Sequence, residues 1–165
     1  MHVRNVCKEC LANGDTLILN DDLLCPECEY FHSLNLKKID YESKSLSDMQ
    51  KRIEEYNNAY DAKSEREDKN FNFIFGNYNR AKELEKQGQI DKALEVYLSI
   101  LEYVPPGTDY YNRPCIILEK KKEYALAIEI CDLAIKCVSE GRFGRNASDD
   151  EFIHRKNRLI RKMSK

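Results

Sequence analysis

Hydrophobic positions change their spacing several times along this chain, and each spacing predicts a different element. Near the start the apolar runs are short: Thr16-Leu17-Ile18-Leu19, then Leu23-Leu24 after the turn formers Asn20-Asp21-Asp22. Such runs predict two short strands joined as a hairpin. From Ser43 to Asn72 there is no Pro or Gly, and Leu46, Met49, Ile53, Tyr56 and Tyr60 recur at three- and four-residue steps. They form one narrow stripe on a helix of about five or six turns. Ser47 and Gln50 have the spacing of a capping box at its start. The next stripe positions are Lys63 and Glu67, which ends the pattern too early for a long coiled coil. Phe71, Phe73, Ile74 and Phe75 then make the densest apolar cluster. They are expected to bury the junction with the next domain.

Beyond that cluster the pattern repeats. Ile90, Ala93, Tyr97 and Ile100 lie 34 residues before Tyr124, Ala127, Cys131 and Ala134, and Leu84 lies 34 before Leu118. Gly88 and Pro105 punctuate the first unit after its first and second helices. A period of this length signals stacked helical hairpins. The stretch "KQGQIDKALEVY" with Pro105 resembles the tetratricopeptide repeat. Ala81, Gly88, Ala93, Tyr97 and Pro105 match its small, turn, aromatic and terminating positions, and Tyr111, Leu118, Tyr124, Ala127 and Ala134 match in the second unit. Arg80 and Pro114 depart from a usual leucine, and Lys122 replaces the turn glycine. Pro114 is tolerated in a first turn, so that helix is expected to start near Asn112, with Asn112 as its cap. The resemblance implies a concave face lined by first helices. It makes Tyr78, Lys82, Glu85, Asn112, Arg113, Ile116 and Lys120 candidate contacts for a peptide or partner helix.

A two-unit stack needs an end cap. Ser148 and Glu151 have capping-box spacing, and Phe152, Leu159 and Met163 with Ile153 and Ile160 predict an amphipathic final helix. Its other face carries Arg155, Lys156, Arg158, Arg161, Lys162 and Lys165, with no acid after Glu151. Six unopposed cations keep an anionic partner in view.

Composition narrows the class. The 165 residues have a formal net charge of −2 and 34% charged residues, which excludes adhesion to nucleic acid by overall charge alone. No apolar run of about 18 residues is present, so no membrane span is expected. The first residues carry no apolar signal-peptide core, and a cytoplasmic protein with reduced thiols is expected.

Seven cysteines, an odd number, fit a disulfide framework poorly. Four form two Cys-x-x-Cys pairs, Cys7/Cys10 and Cys25/Cys28, with fourteen residues between the pairs. Two intervening residues let one tight turn aim both sulfurs at one ion, and Asn13-Gly14-Asp15 and Pro26 supply turn chemistry. The double pair over about residues 3–32 resembles a zinc ribbon, with Zn²⁺ on Cys7, Cys10, Cys25 and Cys28. Tetrathiolate iron is the rival, but the glycine and aromatics that flank rubredoxin pairs are missing from "CKECLA" and "CPECEY". Four thiolates close the coordination shell, so a structural role is expected rather than a catalytic one. Thiol–disulfide exchange is disfavoured, because no βαβ unit accompanies the pairs. His32 is a surface neighbour or a fifth candidate ligand. His2, Arg4, Lys8, Lys37 and Lys38 are expected to screen the site's charge. Cys115, Cys131 and Cys137 lack pair spacing and are expected to be buried apolar thiols.

The expectation is therefore a mainly α chain: a small β zinc ribbon at 1–33, a connecting helix within 34–72, two tetratricopeptide-like repeats at 73–140 and a capping helix at 141–165. No catalytic constellation is present, and a non-enzymatic protein–protein adaptor is the leading function. A nucleic-acid-binding regulator using the ribbon and the basic terminal helix is the alternative. Residues 46–75 are a candidate surface for homo-oligomerisation.

Overall fold

The computed structural model describes residues 1–164, apart from the side chains of Leu36, Asp40 and Tyr41. The described chain is mainly helical, with seven helices and one two-stranded sheet. It divides into two compact units: Arg4–Phe73, and Ile74–Lys165 together with Met1–Val3.

The first unit begins with β1 (Asn5–Val6) and β2 (Asn13–Gly14), antiparallel, with Asn5 opposite Gly14 and Val6 opposite Asn13. The strands therefore flank the first cysteine pair and do not occupy the expected runs. Thr16–Leu19 lies outside the ladder, and the Asn5 side-chain amide donates to Leu17 O at 3.0 Å. Ile18 is 79% exposed, while Leu17 and Leu19 pack against the cysteines. The second expected strand fails at Leu23, whose φ of 62° leaves extended backbone. Asn20 instead closes a turn, accepting from the N–H groups of Asp22 (3.1 Å) and Leu24 (2.9 Å).

Two short helices that periodicity did not reveal follow: α1 (Pro26–Ser33) and α2 (Leu36–Glu42). Pro26 stands at the start of α1, where its fixed φ suits the helix and its missing N–H goes unneeded. The next helix, α3 (Leu46–Lys86), is far longer than expected, running 41 residues without a break through the expected boundary at 72/73. Its start is held two residues upstream of the expected cap. Ser45 Oγ accepts from Asp48 N–H, and the Asp48 carboxylate accepts from Lys44 N–H, both at 3.1 Å. The apolar stripe of α3 is only partly covered: the Phe31 ring of α1 lies 5.2 Å from Tyr56 and 6.1 Å from Tyr60, while Leu46, Ile53 and Tyr60 stay exposed.

The Phe71–Phe75 cluster is not a buried junction. Ile74 is 2% exposed, but Phe71, Phe73 and Phe75 are 38%, 52% and 47% exposed. A helix turns 100° per residue, so neighbouring residues cannot all face one way.

In the second unit, α4 (Ile90–Leu101), α5 (Asp109–Lys120), α6 (Tyr124–Ser139) and α7 (Asp150–Met163) pack in sequence order. Tyr97, Tyr111, Phe152, Ile74, Leu101, Leu118, Ile130 and Leu159 are among its large, fully buried side chains. The 34-residue period recurs in the backbone. Gly88 has φ 76° and Lys122 has φ 62°. The following amides, Gln89 and Glu123, reach back to Leu84 O and Leu118 O, each at 2.9 Å. Lys122 thus adopts the left-handed turn that glycine makes at the first position.

Helix α5 starts at Asp109, one turn earlier than expected; Thr108, not Asn112, precedes its first residue. Pro114 lies in the second turn, and burial of its ring offsets the hydrogen bond its nitrogen cannot give. The expected Ser148–Glu151 box does not form. Ser148 Oγ accepts from Asp150 N–H at 3.2 Å, and Glu151 turns to Asn112 (3.3 Å) and Arg155 (3.0 Å).

The basic face of α7 is not unopposed. Lys156 pairs with Asp132 at 2.6 Å, and Arg158 and Lys162 share Glu119 at 2.8 and 2.7 Å. Arg155 is buried and donates to Asn112 O at 3.2 Å. Lys165 lies outside the described residues. No described helix is long and apolar enough to cross a membrane.

Candidate metal centre and basic cleft

The first cysteine pair sits in a loop closed by backbone bonds. Cys7 N–H donates to Ala12 O at 2.8 Å, Leu11 N–H to Cys7 O at 3.2 Å, and Lys8 N–H to Leu23 O at 2.9 Å. Leu11 takes the left-handed conformation, φ 58°, which turns the chain after Cys10. The second pair is placed by α1: Cys25 precedes its first residue, and Cys28 lies in its first turn. Both residues therefore sit at the positive N-terminal end of α1.

The two pairs converge. All four sulfurs lie within 4.8 Å of one another, and all four residues are fully buried and unbridged. Cys10 Sγ and Cys25 Sγ are 3.6 Å apart, and Cys25 N–H donates to Cys7 Sγ at 3.3 Å. A metal–sulfur bond of about 2.3 Å in a tetrahedron places its sulfurs about 3.8 Å apart. The donor set fits a divalent, thiophilic ion. Contact with Cys10 holds the Cys7 thiol down to about 4 and pushes Cys10 up. Burial pushes Cys25 up to about 12 and raises Cys28. Four thiols in so small a volume cannot all ionise unless a cation compensates them.

His32 takes no place among the sulfurs; its Nε2 lies 2.7 Å from Glu9 Oε1. The charges that α3 brings were missed from sequence. Lys63 Nζ lies 3.4 Å from Glu9 Oε2, Asn70 Nδ2 donates to Cys10 O at 3.0 Å, and between them on the helix Arg66, against its own burial, has its pKa raised by the Cys10 and Cys28 sulfurs. The available signal was the point where the stripe Leu46–Tyr60 turns polar.

The seven residues expected to contact a partner are only partly brought together. Tyr78, Lys82, Glu85 and Arg113 line a cleft of about 390 Å³ with Lys86, which sequence reasoning did not single out. Glu85 is pinned by Arg113, whose Nε donates at 2.8 Å, and by the Tyr97 hydroxyl at 3.2 Å. These bonds, that of Arg113 foremost, hold the Glu85 carboxyl below its ordinary range. The Tyr78 ring stands against Tyr110 at 4.8 Å and Tyr97 at 5.6 Å, with Lys82 Nζ 5.7 Å from its centre. Asn112 faces α7 through Glu151 and Arg155. Ile116 is half-buried and Lys120 exposed, and neither lines the cleft.

The remaining thiols are all buried: Cys115 and Cys131 lie 3.9 Å apart, and Cys137 lies 3.5 Å from the Tyr111 hydroxyl. Comparison with known proteins finds no matching family model, no matching curated protein and no matching solved structure.

Proposed function

We propose that this chain is a non-enzymatic adaptor. Its N-terminal unit is stapled by one structural Zn²⁺ on Cys7, Cys10, Cys25 and Cys28. Its helical unit, read as two tetratricopeptide-like hairpins with α7 as cap, receives a peptide or partner helix at the cleft of Tyr78, Lys82, Glu85, Lys86 and Arg113.

The observation that carries the reading is the convergence of four buried, unbridged sulfurs from two separate segments. A full set of thiolates leaves no open position for water, which favours a structural ion over a catalytic one. Structural zinc in small modules contributes roughly 10–16 kcal/mol of apparent binding energy, enough to fold a segment with little core. The helical reading is supported by the 34-residue recurrence of the left-handed turn at Gly88 and Lys122. Pairing of Lys156, Arg158 and Lys162 with Asp132 and Glu119 weighs against the nucleic-acid alternative, because those cations are already compensated.

Two measurements test this. Metal analysis of the purified chain should find about one zinc per molecule, and iron in its place would replace the metal assignment. A protein partner retained by the wild type should be lost by the double variant Lys82→Glu/Arg113→Glu. Retention of nucleic acid alone, with affinity falling steeply as salt rises, would replace the adaptor reading.

A further inference from the structure

Past Tyr60 the inner face of α3 continues as Lys63, Arg66 and Asn70, at helical steps of three and four. All three reach the cysteine module. Lys63 meets Glu9, which lies between the cysteines of the first pair, at 3.4 Å. Asn70 holds the Cys10 carbonyl at 3.0 Å. Arg66 stands between them on the same helix face, where, against its own burial, the charge of the Cys10 and Cys28 sulfurs raises its pKa. Its Nε is buried without a hydrogen-bond partner.

We propose that Arg66 is a working part of the metal centre: a cation that offsets the charge of the loaded tetrathiolate, retains the metal and shields the sulfurs from electrophiles. The inference rests on the metal reading above. Four thiolates around one divalent ion leave a net charge of −2, and the cysteines are fully buried. Buried charge without a counter-charge is costly. One guanidinium brings the cluster to −1, and its N–H groups are donors that sulfur lone pairs can accept. A sulfur engaged in this way is a poorer nucleophile toward reagents in solution. Arg66 does not ligate the metal; it acts through Cys10 and Cys28, as outer partners of metal ligands do elsewhere, where their loss costs about 10–100-fold in affinity. Asn70 and Lys63 place the helix so that Arg66 arrives at the sulfurs.

The test uses the full-length chain. Zn²⁺ affinity is measured against a chromophoric chelator for the wild type, Arg66→Gln, Arg66→Lys and Asn70→Ala, with circular dichroism as the check on folding. Zinc release is then timed after adding N-ethylmaleimide, which forms a C–S bond to a thiolate, takes a proton at the adjacent carbon and frees the metal. Arg66→Gln is expected to bind zinc about 10–100-fold more weakly and to release it about tenfold faster. Arg66→Lys, which keeps the charge, is expected to recover most of the affinity. Asn70→Ala is expected to change affinity by less than Arg66→Gln. Equal affinity and release rate in wild type and Arg66→Gln would overturn the proposal. So would Arg66→Lys falling as far as Arg66→Gln, since shape rather than charge would then be at work. If Arg66→Gln does not fold, Arg66→Lys decides: near-wild-type affinity supports the proposal, and a loss beyond tenfold overturns it. A wild-type chain that binds no zinc overturns the metal reading and this inference with it.

Discussion

The two units of this protein are held together by different physics. In Arg4–Phe73 the buried cluster is built on sulfur, Cys7, Cys10, Leu24, Cys25 and Cys28, and the other buried residues are Val6, Leu11 and Ile39. The α3 residues of that unit contribute ring contacts, an amide and cations, but no fully buried side chain. In Ile74–Lys165 the buried residues are mostly apolar, among them Ile74, Tyr97, Tyr111, Leu118, Phe152 and Leu159. Small segments lack the apolar area to offset chain entropy and need a staple. The difference teaches where each unit is expected to be vulnerable: the first, on the proposed metal reading, to loss of a single ion, the second to loss of packing volume.

That contrast can be broken by substitution. The largest effect is expected from Cys28→Ser, which removes one of four ligands. It should abolish stoichiometric zinc binding and protection of residues 4–33, while the α4–α7 amides stay protected in hydrogen exchange. Collapse of both units together would show that they share one folding transition. Next comes Phe152→Ala, which empties a fully buried site in α7. It should cost about 3–5 kcal/mol by denaturant titration of the helical signal. Zinc content should stay unchanged, and loss of zinc would break the separation from the other side.

A smaller effect belongs to Glu119. Its carboxyl is held below the ordinary 4.5 first by Arg158 and then by Lys162, which tie α5 to α7. A carboxyl lowered on folding contributes stability that is present above the unfolded value and lost as pH falls through the folded one. The second unit should therefore weaken as pH falls below about 4.5, and Glu119→Gln should flatten that dependence. An unchanged acid limb would remove these ion pairs from the account. The smallest effect is a gain. Lys122→Gly places glycine in a left-handed turn, φ 62°, and should stabilise the second unit by about 0.5–1 kcal/mol. The reverse change at its repeat partner, Gly88→Lys, should destabilise by a similar amount. A loss at Lys122→Gly would remove the strain argument and weaken the parallel between the two turns.

What was legible from sequence divides along the same line. Regular spacing registers packing that repeats, so the 34-residue recurrence located α4 and α6, whose first residues Ile90 and Tyr124 are 34 apart. The cysteine quartet was legible for a similar reason: two residues between ligands is a geometric requirement of one ion. The strands were misplaced because Leu17 and Leu19 are apolar in order to cover sulfur, not to face a sheet. Helix α1 is only eight residues long, too short for periodicity to register. Arg66 and Asn70 were missed because a polar residue on a helix reads as solvated unless its partner is known. The cations of α7 were read as unopposed for the converse reason: Asp132 and Glu119 lie on α6 and α5, distant in sequence but adjacent in the fold.

The central claim is that one ion holds the first unit and apolar packing holds the second. Hydrogen exchange of the full-length zinc-loaded chain, with and without a strong chelator at neutral pH, tests it most directly. The account predicts that chelation removes protection from residues 4–33 and from the stretch of α3 through Asn70 that they hold, and leaves α4 to α7 protected. Protection of residues 4–33 that survives complete metal removal would contradict it.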